Sequence, residues 1–414
     1  MYPRLVAPRI VEALADTPVV LVHGPRQAGK STLVRQLATS AENAVYVTLD
    51  DLTPRRSALA DPETFVGGLA GGGGLVVIDE VQLAPDLLRA IKASVDRDRR
   101  PGRFLLTGSA DVLLLPTVSE SLAGRLERHT LWPLAEAEVR GATGDLVAGL
   151  FAGDPPRVES ELLRGNYLEL ALRGGFPEVV DRPVGRRRER WFGSYLDTMV
   201  ERDVRQLGNL HGLIEVPRLL TAFASRTCGL LNYADLGRDL EMERLTVKRY
   251  LDLLELAFLV DRLPAWHRNV GKRLRKNPKG LFVDTGLMAH LLGAGATDTA
   301  TAERHAGALI ENFAIMELRK LLVASDVWAR GYHYRTEDGA EVDLVLERHG
   351  GDVVGIEVKA AAAVSPRDCR GLRSLQAAAG AEFVCGVVLY TGRQTVPLGE
   401  RLWAVPMAGL WAGG

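Results

Sequence analysis

"PVVLVHGPRQAGKST" (residues 18–32) decides the fold. Its first half is an apolar run of strand length, and its second half reads GxxxxGK[ST] with Gly24, Gly29, Lys30 and Ser31 in register, followed by a helical pattern. The strand, loop and helix order is what a phosphate-binding loop requires. Glycines let backbone N–H groups close around phosphates, Lys30 reaches the β and γ oxygens, the helix N-terminus adds its dipole, and Ser31 supplies a hydroxyl to Mg2+. Residues 24–32 (Gly24, Pro25, Arg26, Gln27, Ala28, Gly29, Lys30, Ser31, Thr32) are therefore expected to bind ATP. A glycine-rich turn that binds nothing does not explain a Lys-Ser pair at this offset. Arg26 and His23 are also suited to local packing and hydrogen bonding.

Outward from this loop, "AVYVTLDD" (44–51), "LVVIDE" (75–80), "FLLTGSA" (104–110) and "HTLWPL" (129–134) alternate with helix-length segments. Runs that are apolar throughout, separated in this way, indicate a parallel sheet covered on both faces. "LVVIDE" leaves Asp79 at a strand end to join the Mg2+ shell and Glu80 beside it to polarise an attacking water. The bland reading of the two acids is a helix cap. "FLLTGSA" offers Thr107 and Ser109 as γ-phosphate sensors, with Ser109 preferred. "GGLAGGGG" (67–74) reads as a flexible loop.

Beyond about residue 145 the pattern turns helical, in "ELLRGNYLELALRGGFPEVV" (161–180) and "RWFGSYLDTMVERDVRQL" (190–207). The run "GRRRER" (185–190) reads as a solvated helix start. "LNYADLGRDLEMERLTVKRYLDLLELAFLVDRLPAW" (231–266) resembles a helix-turn-helix whose second helix presents Thr246, Lys248 and Arg249, and a basic hairpin-like segment follows at 267–284. Its residues 267–279 hold Arg268, Lys272, Arg273, Arg275, Lys276 and Lys279, enough for roughly five or six phosphate contacts. DNA is the expected partner of this wing; a solvated hairpin is the alternative.

The last third reads as a helix (305–322), strands near 327–336, 341–348 and 353–361, a helix (366–380) and a strand (383–392). In "EVDLVLERHGGDVVGIEVK", Asp343 and then Glu357 and Lys359 sit on period-two strands. Acid, loop, acid-x-lysine in an αβββαβ order resembles the restriction-endonuclease-like fold. There, two carboxylates hold Mg2+ and a lysine steadies developing charge. That resemblance also places Glu311 where a further acid enters the site. An exposed Glu–Lys strand pair of no consequence is the competing reading.

Composition sets the outer bounds. The chain has 414 residues, 47% hydrophobic and 25% charged, with a net charge of −1, so any nucleic-acid contact must be local. Cys228, Cys369 and Cys385 are far apart and read as buried thiols rather than a zinc cluster or disulfide framework. The N-terminus lacks a signal layout and no stretch is apolar enough to span a membrane, which points to a cytoplasmic protein.

Together, "GPRQAGKST", "LVVIDE", "LLTGSA", "ESLAGRLERHTLWPLAEAE" (120–138), "RGGFPEVV" (173–180), "NPKGLFVDTGL" (277–287) and "EVDLVLER" (341–348) resemble the prokaryotic AAA-type ATPases whose C-terminal half is known only as a domain of unknown function. The resemblance implies an AAA+ P-loop core (1–145), a helical and winged-helix segment (146–300) and a restriction-endonuclease-like α/β domain (301–414). It also singles out Arg125 as an arginine finger or sensor, which as a finger in trans requires a homo-oligomer; a salt bridge near Glu127 is the alternative. The implied function is ATP hydrolysis controlling a DNA-binding and DNA-cleaving module. An ATP-controlled scaffold switch with an inactive nuclease fold is the rival, and a small-molecule kinase lacks an acceptor lid.

Overall fold

The computed structural model describes residues 2–108, 122–204, 215–274, 276–295 and 298–412. The chain divides into two compact units, one of Arg4–Pro133 with Leu256–Phe258, the other of Met1–Pro3, Leu134–Glu255 and Leu259–Gly414. Among the described residues no helix is long and apolar enough to cross a membrane.

The first unit is built on five strands: β1 (Val19–His23), β2 (Val45–Thr48), β3 (Val76–Asp79), β4 (Phe104–Gly108) and β5 (Leu126–Thr130). They lie in the order β2-β3-β4-β1-β5, every pair parallel. The most apolar strands are central, because only there are both faces covered. Period two then separates the two cores. Val19, Leu21, Val76, Ile78, Phe104 and Leu106 pack against Leu87, Leu88, Ile91 and Val95 of helix Leu87–Arg97. On the other face Val20, Val22, Val77 and Leu105 meet Ile10 and Ala13 of helix Ala7–Asp16 and Leu33 and Val34 of helix Lys30–Ser40. This is the P-loop NTPase arrangement expected from the sequence.

Two sequence expectations shift. The fifth strand is "LERHT", not "HTLWPL", because an edge strand paired only to β1 is half exposed and so reads polar. The apolar "LWPL" instead leaves the sheet: the Leu131 N–H donates to His23 O at 2.8 Å and Trp132 is buried. The segment 67–74 is not all loop either. Helix Pro62–Ala70 takes in Gly67 and Gly68, started by Pro62 and by the Asp61 side chain accepting from the Thr64 N–H.

The second unit begins with helices Glu136–Arg140, Leu146–Phe151, Arg164–Arg173, Pro177–Val180 and Arg186–Thr198, the last running into a π-helical turn, Met199–Val204. The "GRRRER" run does start a helix. Helix Glu215–Ala224 is followed by helices Tyr233–Leu240 and Arg244–Leu256 and by an antiparallel ribbon of β6 (Val260–Leu263) and β7 (Lys279–Phe282). Residues 228–231 pair with the other side of β7: Cys228 N–H donates to Gly280 O at 2.8 Å and Leu231 N–H to Pro278 O at 2.9 Å. The hairpin expected at 267–284 is therefore formed by 260–282, and its connection carries the short helix Val270–Arg273.

Helix Thr299–Leu322 precedes β8 (Ala329–Arg335), β9 (Glu341–Arg348) and β10 (Val353–Lys359), an antiparallel meander. Helix Arg370–Ala379 then leads to β11 (Phe383–Tyr390), parallel to β10. Two further strands, β12 (Val396–Gly399) and β13 (Leu402–Pro406), extend the sheet to the order β12-β13-β11-β10-β9-β8.

The "GGFPE" segment is a structural joint. The Gly175 N–H donates to Asp284 Oδ2 at 2.7 Å, and a Cβ on Gly174, whose φ is 72°, would lie 2.3 Å from Asp284 Oδ1. The same carboxylate caps helix Thr285–Leu291 through Gly286 N–H at 2.9 Å. So Gly174 is set by the close approach of a capping aspartate, and Gly175 by Leu134 O, 2.3 Å from where a Cβ would stand.

Candidate functional site

The phosphate loop is shaped by its glycines. Gly24 has a φ of 153° and a Cβ there would lie 2.2 Å from Leu131 O, while Gly29, with a φ of 96°, turns the chain into helix Lys30–Ser40. Lys30 is buried, and its Nζ donates to Gly24 O at 3.0 Å and Pro25 O at 2.8 Å. The ammonium thus lies over the loop it belongs to, held by neutral carbonyls.

At the end of β3, Asp79 is also buried and accepts hydrogen bonds from Tyr46 Oη at 2.9 Å and from Thr107 Oγ1. Thr107 Oγ1 in turn accepts from the Glu80 N–H at 3.0 Å. One hydroxyl on β4 therefore fixes both acids. Glu80 adopts a left-handed backbone (φ 59°, ψ 46°), an unusual conformation for a non-glycine residue, and its carboxylate accepts from Gln82 Nε2. Glu80 stands at the N-cap position of the turn Val81–Leu83, but its side chain does not cap it. Ser109 lies outside the described residues. His23 is held neutral, its pKa lowered to about 4 by burial and by Arg128 and Lys30, and its Nε2 lies 3.0 Å from Thr130 Oγ1.

Arg125 is not near the loop in its own chain. Its carbonyl accepts from the Val19 N–H at 3.1 Å, at the far end of β1, about 13 Å from the loop at ~3.3 Å per residue. Its guanidinium pairs with Asp96, at 2.7 Å from Nε and 2.6 Å from Nη2. The salt bridge foreseen with Glu127 does not form; Glu127 lies 3.1 Å from His129 Nε2. Arg125 thus stands by Asp96, away from the loop of its own chain.

In the second unit Asp343, Glu311, Glu357 and Lys359 do meet, around a residue that the sequence reading counted as a wing charge. Lys279 is fully buried, and its Nζ donates to Glu311 Oε1 at 2.7 Å and Asp343 Oδ1 at 2.8 Å, with Glu341 Oε1 at 3.5 Å. Asp343 Oδ2 accepts from the Val358 N–H at 2.9 Å, across the β9–β10 pair. Lys359 Nζ donates to Glu357 Oε1 at 2.7 Å, while Glu357 Oε2 is buried without a hydrogen-bond partner. Among the described residues no group of three His, Cys, Asp or Glu side chains is arranged to hold a metal ion.

The charges sort themselves by burial and neighbours. Burial pushes Glu357 and Glu311 up, with Asp343 adding repulsion, each to about 8. Burial also works against Asp343, but Lys279 and the Val358 N–H outweigh it and keep the carboxyl below its usual range. Lys279 is likewise penalised by burial, yet Asp343 and Glu311 raise it well above the ordinary lysine range. The neighbours thus favour the charged form of Lys279 and of Asp343, and burial favours the protonated form of Glu311 and Glu357.

The wing is less available than its composition promised. Arg273 donates to both oxygens of Glu347 at 2.6 and 2.7 Å and lies over the Trp266 and Tyr332 rings. Lys276 Nζ donates to Arg335 O at 2.9 Å, and Arg275 lies outside the described residues. On helix Arg244–Leu256, by contrast, Arg244, Leu245, Lys248 and Arg249 are exposed, with Thr246 half-buried. The three cysteines are buried and free, as expected.

The chain matches an AAA domain family over residues 16–140, a domain of unknown function (DUF8612) over 164–298 and a domain of unknown function (DUF4143) over 306–410. An uncharacterized protein of Mycobacterium tuberculosis is 35% identical over 402 residues, 97% of this chain and 82% of that protein, and its Mycobacterium bovis counterpart matches equally. The chain belongs to this family of AAA-domain proteins. An uncharacterized protein of Haemophilus influenzae is 23% identical over 351 residues, 80% of each chain. Among solved structures, AMPPCP-bound DnaA from Aquifex aeolicus is similar with a TM-score of 0.26 at 13% identity, covering 61% of this chain and 86% of that one, a score too low to support any statement about this molecule. The AAA domain and the parallel sheet agree, and ATP hydrolysis is the general activity of such ATPases.

Sequence reasoning offered Thr107 as a γ-phosphate sensor and missed that it fixes Asp79 and the Glu80 N–H. It also missed Lys279. The signal was present: in "NPKGLFVD" a lysine heads an apolar strand, on the face shared with Leu281, where only a buried acid could satisfy it.

Proposed function

We propose that the chain is an Mg2+-dependent ATP hydrolase whose nucleotide state controls a nucleic-acid-binding C-terminal half. The observation that carries the reading is the convergence, at the carboxyl ends of β1, β3 and β4, of a glycine-shaped loop, the buried Lys30 and the Thr107-anchored acids Asp79 and Glu80. Residues 24–32 would hold the phosphates. Ser31 and Asp79, both hard oxygen donors, suit Mg2+, which when bound neutralises phosphate charge. Lys30 exchanges its loop carbonyls for phosphate oxygens, and Glu80 orients and deprotonates the attacking water. Arg125 serves a neighbouring subunit as a finger in a homo-oligomer.

The functional parts follow 1–145, 146–300 and 301–414. The order of helix, pairing segment, two helices and ribbon in 215–282 supports a winged helix, with Arg244, Lys248, Arg249 and Lys272 toward DNA phosphates. The order of helix, antiparallel meander, helix and parallel strand in 299–390 supports a restriction-endonuclease-like fold with Glu311, Asp343, Glu357 and Lys359 as its charged centre. A second reading, a switch that binds without cleaving, is favoured by Lys279 among those acids.

Phosphate release from ATP tests the core of the proposal. Lys30→Ala is expected to lose both binding and turnover, and Glu80→Gln to keep ATP binding while turnover falls about 100- to 1,000-fold. Undiminished release by Lys30→Ala would refute it.

A further inference from the structure

The charged centre of the second unit receives its cation from a strand outside the sheet that carries its acids. Lys279 opens β7, which is paired on one side with β6 and on the other with residues 228–231, so its backbone is fixed and its side chain is committed to one face. Asn312 locks the far end of the same strand, its Oδ1 accepting from the Phe282 N–H at 2.9 Å and its Nδ2 donating to Phe282 O at 2.8 Å. On that face the ammonium touches Glu311 and Asp343 at 2.7 and 2.8 Å with Glu341 at 3.5 Å. A restriction-endonuclease-like fold implies a divalent ion between Asp343 and its neighbouring acids. The residues do not fit one between Glu311 and Asp343, because the Lys279 ammonium takes that position, with the Val358 N–H on the other Asp343 oxygen; of these acids Glu357 keeps one oxygen, Oε2, buried without a partner.

We propose that Lys279 is the built-in cation of this centre, standing in the place of a divalent metal between Glu311 and Asp343 and closing the centre to Mg2+ and Mn2+. A monovalent ammonium matches the reach of two carboxylates but cannot polarise a water as a metal does, so the centre as it stands orders β7, β9 and β10 and performs no hydrolysis. Only the expectation of a metal rests on the nuclease-like reading; the lysine's placement does not.

The test is Mn2+ binding to the full nucleotide-free chain, followed by the electron paramagnetic resonance of free Mn2+, for wild type, Asp343→Asn, Lys279→Met and Lys279→Met with Asp343→Asn. Wild type and Asp343→Asn are expected to bind Mn2+ alike. Lys279→Met is expected to gain one bound Mn2+ per chain, lost again when Asp343→Asn is added. Mn2+ binding by wild type that Asp343→Asn abolishes would overturn the proposal, and this comparison decides even if Lys279→Met does not fold. A folded Lys279→Met chain with no added site would overturn it as well. If Lys279→Met binds Mn2+ yet leaves plasmid DNA intact in Mg2+ and Mn2+, the built-in cation stands and the nuclease-like reading falls.

Discussion

Lys30 and Lys279 are both buried ammonium groups, held in opposite ways. Lys30 leans on two carbonyl oxygens, which it can exchange for phosphate at little cost, whereas Lys279 is held by the ionised Asp343. Removing one partner from a buried charge cluster typically costs about 3–5 kcal/mol. Lys279→Met should therefore lower the urea-unfolding stability of the second unit by that order, and Lys30→Ala should lower that of the first unit by less; equal effects would contradict the contrast. Glu311 and Glu357, raised from 4.5 to about 8, give the centre a pH signature. Between those values the folded chain holds protons that the unfolded chain has released, so the stability they contribute is full below 4.5 and lost as pH rises through about 8. His333, its pKa lowered to about 4 by burial, acts in the opposite direction but only below its ordinary 6.5. The urea midpoint is expected to fall from about pH 6.5 to about pH 8.5, and less steeply in Glu357→Gln. A midpoint that rises over that range would contradict the assignment.

At the scale of elements, the sequence was legible wherever burial was two-sided. β1, β3 and β4 are apolar but for their carboxyl ends and lie where the apolar runs put them; β5, an edge strand, reads polar and lies earlier in the chain than the apolar "LWPL". The strands β9 and β10 were legible through alternation, and with them the meeting of Asp343, Glu357 and Lys359. What the sequence hid was long-range: a lysine heading an apolar strand calls for a buried acid, but nothing local says that the acids lie on β9 and on helix Thr299–Leu322, or that Asp96 takes Arg125. The clamp of Asn312 on β7 belongs here too. Asn312→Leu leaves the Phe282 N–H and C=O buried and unpaired, at about 1–3 kcal/mol each, so denaturant unfolding should register roughly 2–6 kcal/mol. A loss below about 1 kcal/mol would mean that the ribbon holds β7 without it.

At the scale of the whole molecule, the trans role proposed for Arg125 would make turnover a matter between chains. Hydrolysis per chain is expected to rise with protein concentration, and Arg125→Ala to remove that rise while leaving ATP affinity unchanged; a monomeric sample equally impaired by Arg125→Ala would contradict the trans role. The central claim, that nucleotide state governs nucleic-acid binding by the C-terminal half, has a direct measurement: fluorescence anisotropy of a labelled duplex with Glu80→Gln protein, with and without ATP, across a salt series. Four basic contacts predict a slope of log affinity against log salt of about −3.5. The account predicts that slope together with an affinity that shifts about tenfold on adding ATP, a coupling of roughly 1.4 kcal/mol. Binding that is absent, or identical with and without ATP, would contradict it.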